Sequence, residues 1–469
     1  MSLHTARRHD EDEPTPRRNP GDASERHLSR AGKERIDLAP GRAAGALAVV
    51  VRTQRPSGLR RRSSWALATE GLDSLGTLVF SVWMAREVTA AEFGSYALGL
   101  TILQVAIGLA TGAGSLTMLT RLGTSERRFT RGLAGDVTGV TLATAVLPIL
   151  AFLGLAAVGG APLTTTCLAF AAITPALLLQ DCCIHLFYAR RQQVKALLNN
   201  AVWLAVQVPL MLVLPPMLAP HQAWSYLLCW GIAAYAAVAV SLVQLGTVPR
   251  LDRVPAWVRE HRRTMGDLML ENTAGRLAMQ SGAWVLGAVA GLRVLGGFRA
   301  SQIVYGLTRV FNVGLAPMAL AEGVRLYERS PVRLLRLVRG WMALNAAMCL
   351  AVGVILLAIP DEAGRAIAGD SWRYAEQILV WAVAISISNA VLVPAQTGLR
   401  CLGATRVSAV IRTVTMPLPA LCTLVGGLAG DGYTAMMGLA IGSILSTVTV
   451  AIAFESKFRK ATADSRPEL

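Results

Sequence analysis

Acidic residues are scarce in this chain: 29 Asp and Glu stand against 45 Lys and Arg, and the charged types together make up only 16% of 469 residues. So little charge cannot clothe the surface of a soluble protein of this length, and 53% hydrophobic residues with a mean hydropathy of +0.47 point to the bilayer as solvent. Cysteine is sparse as well, at seven, with no pair at zinc-finger spacing and no small extracellular domain to staple. The adjacent Cys182 and Cys183 read, like the others, as small apolar fillers. No glycine-rich phosphate loop is present, which argues against ATP hydrolysis.

The basic excess, a net charge of +16, would suggest nucleic acid if it covered a soluble domain, so its location decides. Residues 1–62, rich in Arg, Asp, Glu and Pro and free of aromatic residues, read as a disordered cytoplasmic tail with no cleaved targeting segment. Most other basic residues fall in short connections between apolar runs. No nucleic-acid partner is needed to explain them.

Apolar stretches long enough to cross a bilayer recur at about 64–85, 93–120, 132–158, 163–188, 195–218, 222–246, 265–290, 294–321, 335–358, 374–398, 404–428 and 431–454. The expectation is an all-α polytopic membrane protein of about twelve transmembrane helices. Alternate connections hold nearly all the Arg and Lys, among them Arg121, Arg131, Arg190, Arg250, Arg263, Arg325, Arg339 and Arg406. The opposite set has only Arg86, Arg293, Arg365 and Arg373. Because positive residues are retained inside, the reading is a multi-pass protein of the cytoplasmic membrane with both termini cytoplasmic.

The first and second segments resemble the seventh and eighth. Glu70 aligns with Glu271, and Phe93-Gly94-Ser95-Tyr96 aligns with Leu295-Gly296-Gly297-Phe298. The implied plan is two six-helix bundles, 63–248 and 265–455, joined by a cytoplasmic linker at 249–264 and followed by a tail at 456–469.

The stretch "MAREVTAAEFGSYALGLTILQVAIGLATGAGSLTMLTRL", with Phe93, Gly94 and Tyr96, resembles the polysaccharide-flippase branch of the multidrug/oligosaccharidyl-lipid/polysaccharide exporter superfamily. With the twelve-segment plan, the resemblance extends over about 64–455. It implies a V-shaped carrier that moves a lipid-linked oligosaccharide across the membrane by alternating access, without a cofactor, beside other polysaccharide-assembly proteins.

Polar residues inside a bilayer are costly and tend to face a protein interior or a cavity. Arg299, Gln302, Tyr305, Arg309 and Asn312 recur at steps of three or four, on one face of the eighth segment. Asn272, Arg276 and Gln280 form a stripe on the seventh, Glu70, Asp73, Thr77 and Ser81 on the first, and Ser386, Asn389 and Gln396 on the tenth. Arg412 lies on the eleventh beside Pro417 and Pro419. A cavity holding Arg276, Arg299, Arg309 and Arg412 suits an anionic ligand, because guanidinium groups stay charged and bind phosphate oxygens through several directed bonds.

Glu70, Asp73 and Glu271 are candidates for H+ or Na+ coupling. A plainer reading stands beside each: Arg276 pairs with Glu271 or Glu70, Arg299 snorkels, and the carboxylates are solvated at helix ends. Asp136, Asp181 and His185 read as interfacial. Three functions compete: a flippase for a polyprenyl-pyrophosphate-linked oligosaccharide, a multidrug or cation antiporter of the same superfamily, and a membrane glycosyltransferase or polymerase. The last needs catalytic acids on a sizeable outer loop, and only Asp361, Glu362 and Asp370 offer themselves, so the chain reads as a carrier and not an enzyme.

Overall fold

A computed structural model describes residues 56–124 and 129–464, and among these every regular element is a helix. The order is α1 (Pro56–Glu87), α2 (Ala90–Thr111), a π turn (Gly112–Leu116), α3 (Thr117–Thr124), α4 (Arg131–Thr144), α5 (Val146–Val158), α6 (Leu163–Ala189), α7 (Gln193–Leu218) and α8 (Ala223–Leu245). A 3-10 turn (Leu251–Arg253) leads into α9 (Val254–Arg329), then α10 (Pro331–Leu357), α11 (Asp361–Ala368), α12 (Ser371–Cys401), α13 (Thr405–Thr415), α14 (Pro417–Ala429) and α15 (Gly432–Asp464). The expected tail lies outside the described residues up to 55, and α1 begins at Pro56, whose missing N–H costs nothing at a helix start.

Two elements look too long or too short, and each has a local cause. α9 reverses direction at Gly291, where φ is +83° and ψ 169°, a conformation closed to residues with a side chain. Its two arms fold back on each other: Gly287 and Leu295 meet, and Gly432 packs against both Val294 and Ala290. α4 and α5 form one crossing broken at Ala145, three residues before Pro148, which removes a helical hydrogen bond. α13 and α14 are split in the same way ahead of Pro417.

Ten stretches among the described residues are long and apolar enough to span a membrane, which makes this a polytopic membrane protein of the expected all-α class. The count differs from the expected twelve in that the two arms of α9 run as one stretch through Gly291, and α1, with Arg60, Arg61 and Arg62 in its opening turns and Glu70 and Asp73 in its body, is less apolar than the others.

The helices leave large apolar side chains uncovered where lipid would lie, including Val158, Met217, Val243 and Leu428. Inside the first six crossings the core is aromatic. Phe152 stacks on Phe170 with ring centroids 5.2 Å apart, Tyr96 stacks on Phe170 at 6.3 Å, and Phe80 meets Tyr96 edge-on at 5.7 Å. This core continues into the second half through Ala368, Trp372, Ala375 and Leu379.

Toward the other end, where the Arg-rich connections lie, two further cores form among the described residues. One gathers Met118, Val137, Phe187 and Trp257, and the other Leu334, Val338, Leu399 and Phe454. The two halves share a core at the Arg-poor end, and toward the Arg-rich end the first arm of α9 still packs on the first half, with Met265 and Met269 against the core of Met118 and Phe187.

Candidate functional site

The seam between the halves is formed chiefly by α2 and the first arm of α9, which run antiparallel. Their contacts succeed one another in register: Leu292 lies at Gly94, Trp284 Nε1 donates to Thr101 Oγ1, Arg276 lies at Gly108 and Met269 at Gly112. Small residues on α2 let the backbones approach this closely. At the Arg-poor end the halves are tied by Asp370, whose Oδ2 accepts a 3.0 Å hydrogen bond from the backbone N–H of Ala90, the first residue of α2.

Arg299 sits near that end on the second arm. Its Nη1 donates to Gln302 Oε1 at 3.4 Å, its guanidinium approaches the hydroxyl of the fully buried Tyr96, and Ser81 Oγ lies 3.5 Å from that hydroxyl. The Arg299 Nε atom is buried and has no hydrogen-bond partner. Arg299 and Ser81 thus lie about Tyr96, contributed by the sequence element that carries the resemblance, while Gln302 is exposed beside Arg299 on the same arm. Tyr305, Arg309 and Asn312 on the same arm, and Glu70 on α1, lie outside the described side chains.

Arg276 occupies the middle of the seam. Its Nη1 donates to Gln104 Oε1 of α2 at 2.7 Å, and its stem crosses Gly108, with Cδ 2.6 Å from where a β-carbon would stand. The carboxylate that acts on it electrostatically is Asp181 of α6. Asp181 Oδ2 accepts from Thr111 Oγ1 at 3.1 Å, and His185 Nδ1 stands 3.5 Å from the same oxygen.

Arg412 approaches the first arm of α9 from the other side, its Nη2 3.7 Å from a β-carbon placed on Gly275, within electrostatic reach of Glu271 and Arg400. Glu271 is exposed on that arm, and Asp73 and Thr77 are exposed on α1. Ser386 turns back onto its own helix, whereas its neighbour Ser388 binds Ser443 O and Thr447 Oγ1 of α15 at 2.9 and 2.7 Å. Asn389 is exposed and Gln396 partly covered. Asp136 pairs with Arg250 at 3.4 Å.

Sequence reading did not assign Gln104, Thr111 or Asp181 to the site. The signal was present: Gln104, Gly108 and Thr111 repeat at helical spacing on one face of α2. It also passed over a polar stripe inside the first half, where Asn200 Nδ2 donates to Thr69 O at 3.2 Å and Gln207, 1% exposed, has neither amide atom bonded. A hollow between α4 and the first arm of α9, at Ala113, Val140, Val258 and Met265, holds none of these polar groups.

No family model and no curated protein sequence matches the chain. Solved structures do. A multidrug resistance MATE family transporter of the MOP superfamily, in its inward-facing conformation, superposes with a TM-score of 0.65 at 11% identity, over 86% of this chain and 100% of that one. The outward-facing conformation of a multidrug resistance MATE family transporter gives 0.54 at 12% identity, over 86% and 95%. A MOP superfamily transporter from Pyrococcus furiosus, described by a reverse polarity of its binding pocket that suggests a different function, gives 0.50 at 13% identity, over 85% and 95%. The chain therefore has a MATE-like transporter fold.

Proposed function

We propose that this protein exports a polyprenyl-pyrophosphate-linked oligosaccharide across the cytoplasmic membrane by alternating access, for assembly of a cell-surface polysaccharide. The observation that carries the reading is the position of Arg276, Arg299 and Arg412, three partly buried guanidinium groups that each reach a neighbouring helix or arm. A charge is costly at that depth, and a pyrophosphate offers the clustered oxygens that guanidinium groups bind best. Gln302, Tyr305, Arg309 and Asn312, which recur at helical spacing in the sequence, are the further proposed ligand-binding residues. Glu70, Asp73 and Glu271 are the proposed H+ or Na+ coupling residues. Both termini are assigned to the cytoplasm on the distribution of Arg and Lys.

Alternating access is supported by the fold, which superposes on inward-facing and on outward-facing MATE family transporters. Multidrug antiport is the second reading. It is favoured by the multidrug transporters among the structural neighbours and by Asp181 and Glu271, carboxylates of the kind that bind cations.

Deleting the gene separates the two. Accumulation of lipid-linked oligosaccharide on the inner leaflet, reversed by the intact gene, is expected of the flippase. Hypersensitivity to cationic drugs with normal surface polysaccharide is the result expected of the antiporter.

A further inference from the structure

Asp181 is a carboxylate where a carrier of anions has no evident use for one. It projects from the body of α6, eight residues before that helix ends at Ala189, and a third of its side chain is uncovered (32%). Thr111 anchors it at 3.1 Å, and directly after Thr111 the regular turns of α2 give way to the π turn, an irregularity that recurs at functional positions. The same face of α2 that holds Asp181 at Thr111 holds Arg276 through Gln104 and Gly108, so carboxylate and guanidinium are anchored within two turns of one helix. A guanidinium at this depth needs a counter-charge when no ligand is present, and Asp181 is placed to supply it.

We propose that Asp181 is an internal counter-anion that competes with the ligand's phosphates for Arg276. With the site empty, the carboxylate balances the guanidinium. An arriving pyrophosphate, with more charge and more acceptor oxygens, takes Arg276 over, and the return of Arg276 to Asp181 favours release. Binding then exchanges one ionic partner for another, which keeps the ligand from being held too tightly to leave. Asp181 is in this sense a positioning and specificity residue that acts through Arg276, and its role rests on the anionic-ligand reading given above.

The test uses the full chain in lipid nanodiscs with polyprenyl pyrophosphate as probe, and proteoliposomes for translocation of the same lipid. Asp181→Asn keeps the shape and an acceptor for Thr111 but removes the charge. It is expected to bind the probe on the order of tenfold more tightly and to translocate it more slowly, a combination that simple loss of structure does not produce. Asp181→Ser carries the same expectation should the Asn variant fold poorly, and Asp181→Glu should stay near the wild type. In the Arg276→Ala background the gain from Asp181→Asn should vanish, because the two residues act on the ligand as a pair.

Unchanged or weaker binding by both charge-removing variants, with Arg276→Ala still weakening binding, would overturn the role of Asp181 and leave the anionic-ligand reading standing. No binding of the probe by the wild type, together with binding of a cationic dye, would overturn the anionic-ligand reading itself.

Discussion

Gly94 and Gly296 face each other across the seam. A β-carbon on Gly94 would fall 1.8 Å from the carbonyl oxygen of Leu292, and one on Gly296 would fall 2.4 Å from that of Ala90 and 3.1 Å from the Gly94 nitrogen. The two residues hold matching places in the sequence repeat, so the internal symmetry brings its own small residues together where the halves join. Gly94→Val cannot be absorbed by a side-chain rotation, because the obstacle is backbone. Overpacking of this kind costs about 1–3 kcal/mol. We expect a lower melting temperature and faster labelling, by a membrane-impermeant maleimide, of a cysteine introduced at Thr89. Unchanged stability and labelling would mean that the close approach is not maintained in the membrane.

Asp370 ties the second half to the start of α2 through the Ala90 N–H. Asp370→Ala removes that acceptor, at about 1 kcal/mol by analogy with helix caps, whereas Asp370→Asn retains one. The Ala variant is expected to fold normally yet label faster at position 89, and the Asn variant to behave like the wild type. Equal labelling in the two variants would remove Asp370 from the closure of this end.

Gly108 gives the Arg276 side chain its path to Gln104. Gly108→Val places carbon where the Arg276 Cδ now lies and should displace the guanidinium from Gln104. Affinity for polyprenyl pyrophosphate is expected to fall about tenfold, as far as in Arg276→Ala, and the double variant should show no further loss. Additive losses would show that the glycine acts elsewhere.

Much of this organisation is legible in the sequence because helical periodicity survives burial. The stripes on α1 and α9 carry Ser81 and Arg299, which lie about Tyr96, and the element around Phe93 and Tyr96 proves to be core, with both rings fully buried. What periodicity cannot supply is the partner of a face. The pairing of α2 with the first arm of α9 is a tertiary choice, so the role of Gln104 and the place of Asp181 beside Thr111 stay hidden until the helices are docked. A single Asp or His near the end of an apolar run looks the same whether it meets solvent or another helix. The α4–α5 break escaped notice because Pro148 disrupts the turn before it, within an otherwise unbroken apolar run.

The central claim is that the arginines make this a carrier of anionic lipid-linked sugars. Its most direct test is translocation by purified protein in proteoliposomes, comparing a fluorescent polyprenyl-pyrophosphate-linked oligosaccharide with a cationic dye. We predict translocation of the anionic lipid and none of the dye, with at least a tenfold loss when Arg276, Arg299 and Arg412 are replaced together by Ala. Dye transport that persists in the triple variant, without movement of the anionic lipid in the wild type, would contradict the account.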